Sequence, residues 1–393
     1  MNTLLEAAET FAADLVTLRR DLHRHPELSF REHRTADIAA RTVEALGFRV
    51  RRNVGVTGVV AEIGSGRPII GLRADMDALP IQETGDSEYR STVPGVMHAC
   101  GHDAHVAMLI GAARLLAAAD REGRLKSTVR LLFQPSEEDC DDEHKSGAVR
   151  MIEDGALRGV NAVFGIHIGA HMPAGKAFLR AGPYMAGSDT FHITVHGRSA
   201  HAARPQEGVD AIVLGSHAIL AAQNAVARRI SPMAAGVLTI GRIEGGVAEN
   251  VIADRVTLAG TVRYFEEKVR RTLHSELRRA FSVVDALGGK SHIQLVEGYP
   301  PVVNDEAMTN IAREAVAAAI GADAITPYEP WMGAEDFAYL AREAPGCFFW
   351  LGAALNPPRE HHTPNFDIDE SVLPKGAACL AACALRAAEA LAP

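Results

Sequence analysis

The residues with the clearest capacity for chemistry lie in one short stretch, MHACGHDAH, at positions 97–105. Cys100 and His102 are two positions apart, and a thiolate with an imidazole is a donor pair that suits zinc or a neighbouring divalent metal. We expect His98 and His105, which flank the pair, to be structural or to support the ligands. The ordinary alternative for the pair itself is a buried cysteine beside a helix-capping histidine.

A second set of candidates follows two strongly apolar segments. Glu137 and Glu138 close the sequence FQPSEE, and two adjacent carboxylates that cannot both relax into solvent favour a division of labour. One carboxylate would bind a metal ion and the other would shuttle a proton. His167 ends the apolar sequence FGIHIG, where it is either a fourth ligand or a satisfied core histidine.

Further acids and imidazoles follow other apolar segments. Asp75 and Asp77 are two apart at the end of a predicted strand, where ligand sites of α/β sheets collect, and we expect Asp77 to orient a ligand. His361 and His362 lie in a proline-rich loop, and only one of them is expected to bind metal. The glycine-led acidic turn at 333–337 is expected near the site through its backbone N–H groups.

The elements that must position these residues alternate between strands and helices. Helical spacing covers 3–22, 32–46, 104–119, 209–230, 266–287, 305–320 and 370–392, and strand-like runs cover 58–63, 68–74, 128–133, 162–169, 188–197, 235–243, 254–265, 291–299 and 347–352. The pattern predicts an α/β protein with a mixed sheet, interrupted by a small α+β module with an antiparallel sheet. We place the catalytic metal-binding domain at 1–183 and 298–393, and the inserted domain at 184–297.

Composition narrows the classes of function. A net charge of −9 over 393 residues argues against nucleic acid as a partner, because phosphate contacts need clustered Lys and Arg. The acidic start resembles no signal peptide, and no membrane-spanning segment is expected. Five cysteines, an odd number, favour a reducing cytoplasm over a disulfide framework, and Cys379 and Cys383 are expected to be small core residues.

Taken in order, the motifs resemble the di-metal aminoacylase and carboxypeptidase family. The branch they match includes hippurate hydrolases, bacterial N-acyl-amino-acid amidohydrolases and plant indole-acetyl-amino-acid hydrolases. The resemblance covers essentially the whole chain, and its motifs are LRRDLHRHPELSF, RADMDALPI, MHACGHDAH, FQPSEE, GRSAHAARP, ENVIAD, GTVR, GAEDF and HTPNFDID.

The resemblance implies a zinc-peptidase-like catalytic domain and a ferredoxin-like lid or dimerisation domain. It also implies a pair of divalent metal ions held by Cys100, His102, Glu138, His167 and His362, with Glu137 as the general base. His201 from a neighbouring subunit would stabilise the oxyanion, and Asn250 and Arg263 would bind the substrate. His362 is preferred to His361 because it directly precedes Thr363 and Pro364. A homodimer or higher homo-oligomer would follow from a role of His201 across subunits.

The expected activity is hydrolysis of the amide bond of N-acyl amino acids. A metal ion can lower the pKa of bound water from 15.7 to roughly 7, and Glu137 would accept the proton. The donors would accept zinc, manganese, cobalt or nickel. Dipeptide or carbamoyl hydrolysis at the same site, a non-catalytic metal-dependent binding protein and a structural zinc site remain alternatives. Two departures from the family, the acidic segment 139–143 and Arg204, lie near the expected substrate entrance.

Overall fold

The computed structural model describes residues 3–392, and its contacts divide the chain into two compact units. The first unit comprises Met1–Tyr184, Val303–Glu329 and Asp336–Pro393, and the second comprises Met185–Val302 and Pro330–Glu335. The N-terminal part of the first unit contains α1 (Leu4–Glu9), α2 (Ala12–Arg24), α3 (His33–Ala45), β1 (Arg49–Val54), β2 (Gly58–Gly64), β3 (Ile69–Asp75), α4 (His102–Arg121), β4 (Thr128–Gln134), α5 (Gly147–Glu153), β5 (Ala162–Gly169), β6 (Ala177–Leu179) and β7 (Gly182–Met185).

The remaining elements belong to the second unit and then to the C-terminal part of the first. They are β8 (Gly187–His196), α6 (Ala211–Ala222), β9 (Gly236–Gly245), β10 (Arg255–Tyr264), α7 (Glu267–Ala286), β11 (Lys290–Glu297), β12 (Val302–Asn304), α8 (Glu306–Ile320), β13 (Ile325–Pro327), α9 (Phe337–Glu343), β14 (Gly346–Gly352) and α10 (Leu373–Ala390).

Eight strands of the first unit form one mixed sheet in the order β1-β2-β4-β3-β5-β14-β6-β13. Strands β4, β3, β5 and β14 are adjacent and parallel, whereas β1 and β2 pair antiparallel with their neighbours. Strand β6 pairs antiparallel with β14 and parallel with β13. Every residue of β5 and β14 is buried, which explains why these strands are apolar throughout rather than alternating. The carboxyl ends of the four parallel strands meet at one edge of the sheet. The mixed α/β architecture predicted from the sequence is confirmed.

Two long helices cover the sheet of the first unit. Helix α4 packs on α10 and β3, and α10 also contacts β3 and β5. The segment Glu370–Ala390 is long and apolar enough to cross a membrane, but 78% of its apolar window is buried within the protein. Its composition therefore reflects a core helix. Cys379 and Cys383 are fully buried on α10, which confirms them as small core residues.

The second unit is an antiparallel sheet covered by two helices. Its strands run in the order β11-β8-β10-β9, and the chain order β-α-β-β-α-β with this arrangement is the ferredoxin-like topology. Burial alternates along β8 and β10, as expected when one face is covered and the other is open to water. The covered face packs on α6 and α7 in one apolar cluster that includes Phe191, Leu258, Leu273 and Phe281.

Two helix predictions differ from the structure. The predicted helix over 3–22 is two helices, interrupted where the Thr10 hydroxyl bonds to the Ala7 carbonyl oxygen at 2.7 Å and competes with the backbone. The predicted helix over 209–230 ends as α6 at Ala222 and continues as a π-helical turn at Ala225–Arg229. The short helices α5 and α9 and strand β1 carried no periodic signal long enough to predict them.

Candidate active site

The candidate metal-binding residues converge at the carboxyl edge of the parallel strands. Asp75 ends β3, His167 is near the end of β5, and Glu137 and Glu138 follow β4 directly. His102 is the first residue of α4, and the chain reaches it through Gly101, whose φ is +91°. A Cβ at Gly101 would lie 3.3 Å from Phe366 and would also force a disfavoured backbone, so glycine is needed for this turn.

The hydrogen bonds of His102 fix which of its ring nitrogens can bind a metal ion. Nδ1 lies 2.8 Å from the backbone oxygen of Asp77 and 3.2 Å from its Oδ1, so Nδ1–H is the donor in both contacts. This leaves Nε2 as the nitrogen that could bind a metal ion, and it is fully buried without a hydrogen-bond partner among the described residues. A carboxylate that orients a metal-binding imidazole in this way is a recurrent feature of metal sites. Asp77 thus contacts the ring of a candidate ligand, and its orienting role stays a prediction.

His167 shows the same arrangement. Its Nδ1 donates to the backbone oxygen of Ile168 at 2.8 Å, and its Nε2 lies 3.5 Å from the Sγ atom of Cys100. The ring is buried, and burial together with neighbouring imidazoles lowers its pKa well below the ordinary value. A neutral imidazole with Nε2 unprotonated is the form that binds metal.

Two adjacent histidines are distinguished by their contacts. His361 Nε2 accepts the backbone N–H of Ala170 at 3.1 Å, so this nitrogen is already occupied. His362 Nε2 instead lies 3.2 Å from Oε1 of Glu138, and the backbone N–H of His362 donates to the oxygen of Ala99, beside Cys100. The structure therefore brings His362, and not His361, to the carboxylate pair.

The five predicted ligands form two groups of three donors that share one thiol. The ligand atoms of Cys100, His102 and His167 lie within 4.8 Å of one another, and so do those of Cys100, Glu138 and His362. Glu137 lies beside both groups, because its carboxylate is within 4.8 Å of donor atoms of His102 and Glu138. The structure thus brings together all five candidate ligands and the candidate base.

The carboxylates and the buried thiol of the cluster favour the binding of a cation. Burial and the carboxylates of Glu138 and Glu137 raise the pKa of the Cys100 thiol well above its ordinary value. Burial would lower the pKa of His102, but Asp75 and Asp77 outweigh it and raise the pKa to about 10. A buried thiol, orphaned Nε2 atom and excess of carboxylates fit divalent metal ions, which supply positive charge and hold Cys as thiolate.

A network of buried hydrogen bonds lies next to the candidate ligands. Asp75 accepts from Arg73 Nη1 at 2.6 Å and from His105 Nδ1 at 2.5 Å, while His105 Nε2 accepts the backbone N–H of Ile168 at 2.9 Å. Burial would raise the pKa of Asp75, but Arg73 and the two imidazoles hold it well below the ordinary value. His105 therefore joins β3 to β5, and its support of the ligands stays a prediction.

The acidic turn predicted at 333–337 contributes the buried side chain of Asp336. Asp336 is fully buried and accepts from Arg73 Nη2 at 2.9 Å and from Gln134 Nε2 at 2.8 Å. It also accepts the backbone N–H of Ala148 at 3.1 Å. Asp336 thus anchors side chains at the ends of β3 and β4.

Sequence reasoning missed the contribution of the N-terminal helix. Arg19 is fully buried and its Nε lies 2.8 Å from Oδ2 of Asp103, while Nη1 contacts Asp367 at 3.1 Å and Glu370 at 3.2 Å. His23 Nδ1 also contacts Asp103 at 2.7 Å. Asp103 follows the candidate ligand His102, so Arg19 connects the start of α4 to the C-terminal loop. The available signal was a pair of charged residues four apart on the apolar face of a helix.

The acidic segment after Glu138 is a self-contained ionic turn. Asp141 accepts the backbone N–H groups of Glu143 and Lys145 at 2.9 and 3.1 Å and the Nε of Arg150 at 2.6 Å. Glu143 also pairs with Lys145 at 3.0 Å. These contacts give Asp141 and Glu143 a structural role in the turn.

The remaining candidates lie in the second unit. His201 is exposed and its Nδ1 accepts the backbone N–H of Ala203 at 3.0 Å, Asn250 is exposed, and Arg204 contacts Glu207 at 3.6 Å. Arg263 is partly buried on β10, and burial lowers its pKa. No carboxylate among residues 3–392 pairs with Arg263.

Comparison with known proteins identifies the family. The model of peptidase family M20/M25/M40 matches residues 71–386. The chain belongs to this family. Its members are hydrolytic enzymes, amidohydrolases and peptidases, so the predicted resemblance and the assignment as an enzyme are confirmed.

Named relatives agree with this assignment. The chain is 39% identical to IAA-amino acid hydrolase ILR1-like 2 of Arabidopsis thaliana, covering 95% of this chain and 84% of that protein. It is 40% identical to the N-acetyl-L-cysteine deacetylase of Bacillus subtilis, covering 93% and 86%. Among solved structures, the YxeP protein of Bacillus subtilis, a dinuclear metal binding peptidase from the M20 family, matches with a TM-score of 0.83 and 36% identity over 97% of this chain and 99% of that one.

Proposed function

We propose that the protein hydrolyses the amide bond of N-acyl amino acids, releasing a carboxylic acid and a free amino acid. The observation that carries this proposal is the pair of three-donor groups sharing Cys100, with Glu137 beside both. The names of an indole-acetyl (IAA) amino acid hydrolase and an N-acetyl-L-cysteine deacetylase, both close to 40% identical, support the substrate class.

The ligands would hold two divalent metal ions. Cys100, His102 and His167 would hold one ion, and Cys100, Glu138 and His362 would hold the other. Zinc, manganese, cobalt and nickel all suit a mixed donor set of thiolate, imidazole and carboxylate. When bound, the metal supplies Lewis acidity and lowers the pKa of water to about 7.

Glu137 is proposed as the general base. It is 6% exposed and belongs to the same turn as the ligand Glu138, so its carboxylate is held beside the donors without being required as one of them. It takes the proton of the attacking water and passes it to the leaving amine nitrogen. Proton transfer by a positioned side chain contributes typically 10²–10⁴-fold.

Three residues of the second unit are proposed to act on the substrate. Arg263 would bind its free carboxylate, which suits a partly buried guanidinium without an acidic partner among the described residues. Asn250 would hold the carbonyl group. His201 would stabilise the oxyanion in the site of a neighbouring subunit, so the inserted domain would serve as a lid and dimerisation domain.

The proposal of a homodimer draws on exposed apolar side chains of the second unit. Leu220 of α6 is 70% exposed, Val247 is 88% exposed and Met233 is 95% exposed, and they would mark an interface if they lie in one patch. We also propose a cytoplasmic location and a small-molecule substrate, with neither nucleic acid nor membrane as a partner.

The experiment is amine release from a panel of N-acetyl, N-benzoyl and indole-acetyl amino acids, dipeptides and N-carbamoyl amino acids. Each would be measured with added zinc or manganese and with chelator. Metal-dependent release from one N-acyl class would support the proposal. Release from dipeptides or carbamoyl compounds alone would replace it with the alternative activities. Bound metal without release from any substrate would favour a non-catalytic binding protein.

A further inference from the structure

The turn that carries Glu137 and Glu138 has an unusual backbone. Ser136, which precedes the pair, has a φ of +43°, a conformation that residues with a Cβ adopt only when the surroundings impose it. Its backbone N–H donates to Oε1 of Glu32 at 2.8 Å, and the backbone N–H of Glu138 donates to Oδ2 of Asp77 at 3.0 Å. Two buried carboxylates therefore hold the turn from either side of Glu137.

The other bonds of Ser136 show what Glu32 adds. The Ser136 carbonyl oxygen accepts the N–H of Gly147 at 2.8 Å, and its hydroxyl donates to the carbonyl oxygen of Asp139 at 2.8 Å. Both bonds connect the turn to residues that follow it in the chain. Glu32 supplies the contact to a distant element, since 104 positions separate it from Ser136.

Glu32 is a buried carboxylate that lies outside the donor cluster. It is fully buried and accepts three hydrogen bonds, from the N–H groups of Ser136 and Phe30 at 2.8 and 2.9 Å and from the hydroxyl of Thr57 at 2.5 Å. Burial and the nearby Asp77 raise its pKa to about 7, which shows that this position is costly for a charge. An apolar side chain would leave the buried Ser136 N–H without this acceptor.

We propose that Glu32 is a positioning residue, which holds Ser136 in its positive-φ conformation and thereby places Glu137 for proton transfer and Glu138 for metal binding. This inference rests on the proposed function for the role of Glu137, but its effect on Glu138 concerns metal binding alone. Without the Glu32 acceptor, Ser136 can relax to an ordinary φ and the two carboxylates move. A misplacement of about 1 Å can cost on the order of 10²-fold in turnover.

The test compares substitutions of Glu32 with a matched substitution of Glu27. Glu27 lies in the same segment and its carboxylate also accepts two backbone N–H groups, those of Arg34 and Thr35, both at 2.9 Å at the start of α3. Glu32→Met removes the acceptor, Glu32→Gln keeps an acceptor oxygen without the charge, and Glu27→Met removes acceptors that do not touch the turn. The readouts are kcat, KM, metal affinity by competition with a chelator, and the thermal midpoint of the metal-free protein.

We expect Glu32→Met to lower kcat on the order of 10²-fold with little change in KM. We also expect its metal affinity to fall about 10-fold or more, as for lost supporting contacts of metal ligands. Glu32→Gln restores most of both, whereas Glu27→Met lowers only the thermal midpoint. Wild-type kcat and metal affinity in Glu32→Met would overturn the inference, and so would equal losses in Glu32→Gln, because charge rather than hydrogen bonding would then matter.

Two further measurements cover the cases in which Glu32→Met does not fold or the wild type shows no activity. If Glu32→Met fails to fold, Glu32→Asp, which shortens the acceptor by one methylene, should show partial losses in kcat and metal affinity, and no loss would overturn the inference. If the wild type releases no amine from any substrate, the proposed function fails. The metal affinities of the Glu32 and Glu27 variants would still support or overturn the role of Glu32.

Discussion

The two units of the molecule differ in what they bury. The first unit buries a set of charged and imidazole side chains, including Arg19, Glu32, Asp75, Asp103 and His105. Among the described residues of the second unit, two charged side chains are buried to this degree: Asp189, which is paired with Arg270 at 2.7 Å, and Glu335. The rest of that interior is apolar.

The difference shows how each unit is stabilised and what it is adapted to do. Burying a charge is costly unless it is paired or hydrogen-bonded, and in the first unit the carboxylates meet guanidinium groups, imidazoles or backbone N–H groups. That arrangement fixes donors for a reaction. The second unit uses an ordinary apolar core and leaves large apolar side chains on its surface, which suits contact with another molecule.

The strongest test of this difference between the units is a substitution of Glu137, the proposed general base in the first unit. We expect Glu137→Gln to lose nearly all turnover, on the order of 10²–10⁴-fold or more, because an amide cannot accept the proton of water. Bound metal should be retained, since Glu138 and not Glu137 is the proposed ligand. The measurements are kcat and metal content. Glu143→Gln, in the ionic turn that follows, is the control, and substantial activity in Glu137→Gln would remove the base assignment.

Neighbouring arginines test whether buried charge stabilises the first unit. Arg19→Met leaves Asp103 buried without its guanidinium and should lower the free energy of unfolding by about 3–5 kcal/mol. The adjacent Arg20 has a side chain 44% exposed and pairs with Glu370 at 2.5 Å, so Arg20→Met should cost no more than about 1 kcal/mol. Denaturant unfolding of the two variants measures both values. Equal losses would show that the buried network has no special contribution.

The burial of His98 predicts a pH dependence of the free energy of unfolding. It is buried, its ring nitrogens have no hydrogen-bond partner among residues 3–392, and burial lowers its pKa from 6.5 to about 4. Below pH 6.5 the unfolded chain binds a proton there that the folded chain does not, so stability is lost as pH falls. This contribution amounts to about 2 kcal/mol between pH 7 and 5.

The corresponding measurement is the free energy of unfolding of the metal-free protein at both pH values. In His98→Phe, the decrease in the free energy of unfolding between pH 7 and pH 5 should be smaller by about 2 kcal/mol, since phenylalanine takes no proton. His192→Phe, at an exposed position of β8, is the control and should leave the pH dependence as in the wild type. An unchanged slope in His98→Phe would contradict the prediction.

The smallest effect on stability is expected at the surface of the second unit. Leu220→Lys, at a side chain 70% exposed, should change the free energy of unfolding by less than about 0.5 kcal/mol. If the apolar surface is a subunit contact, the same substitution shifts the mass in sedimentation towards the monomer. A large loss of stability in a monomeric wild type would show that this residue belongs to the core.

The sequence alone determined the donors and the architecture that holds them. Glu137, Glu138 and His167 lie at the ends of apolar strands, Cys100 and His102 lie at the start of an apolar helix, and this information is local. Alternation of the two periods was sufficient to predict a mixed α/β sheet and an antiparallel module, because each period reflects the face that an element must bury. The interruption of the first helix at Thr10 escaped prediction because it depends on one side-chain bond.

The tertiary structure decided which atoms face the site and what holds them there. Only the fold shows that Nε2 of His102 has no hydrogen-bond partner among residues 3–392, and that Ala170 occupies His361 while His362 meets Glu138. Only the fold brings Arg19 to Asp367 and Glu32 to Ser136. Arg19 and Asp367 are 348 positions apart, and Glu32 and Ser136 are 104 apart. No pattern along the chain encodes such pairs, because their hydrogen bonds exist only once distant segments have packed together.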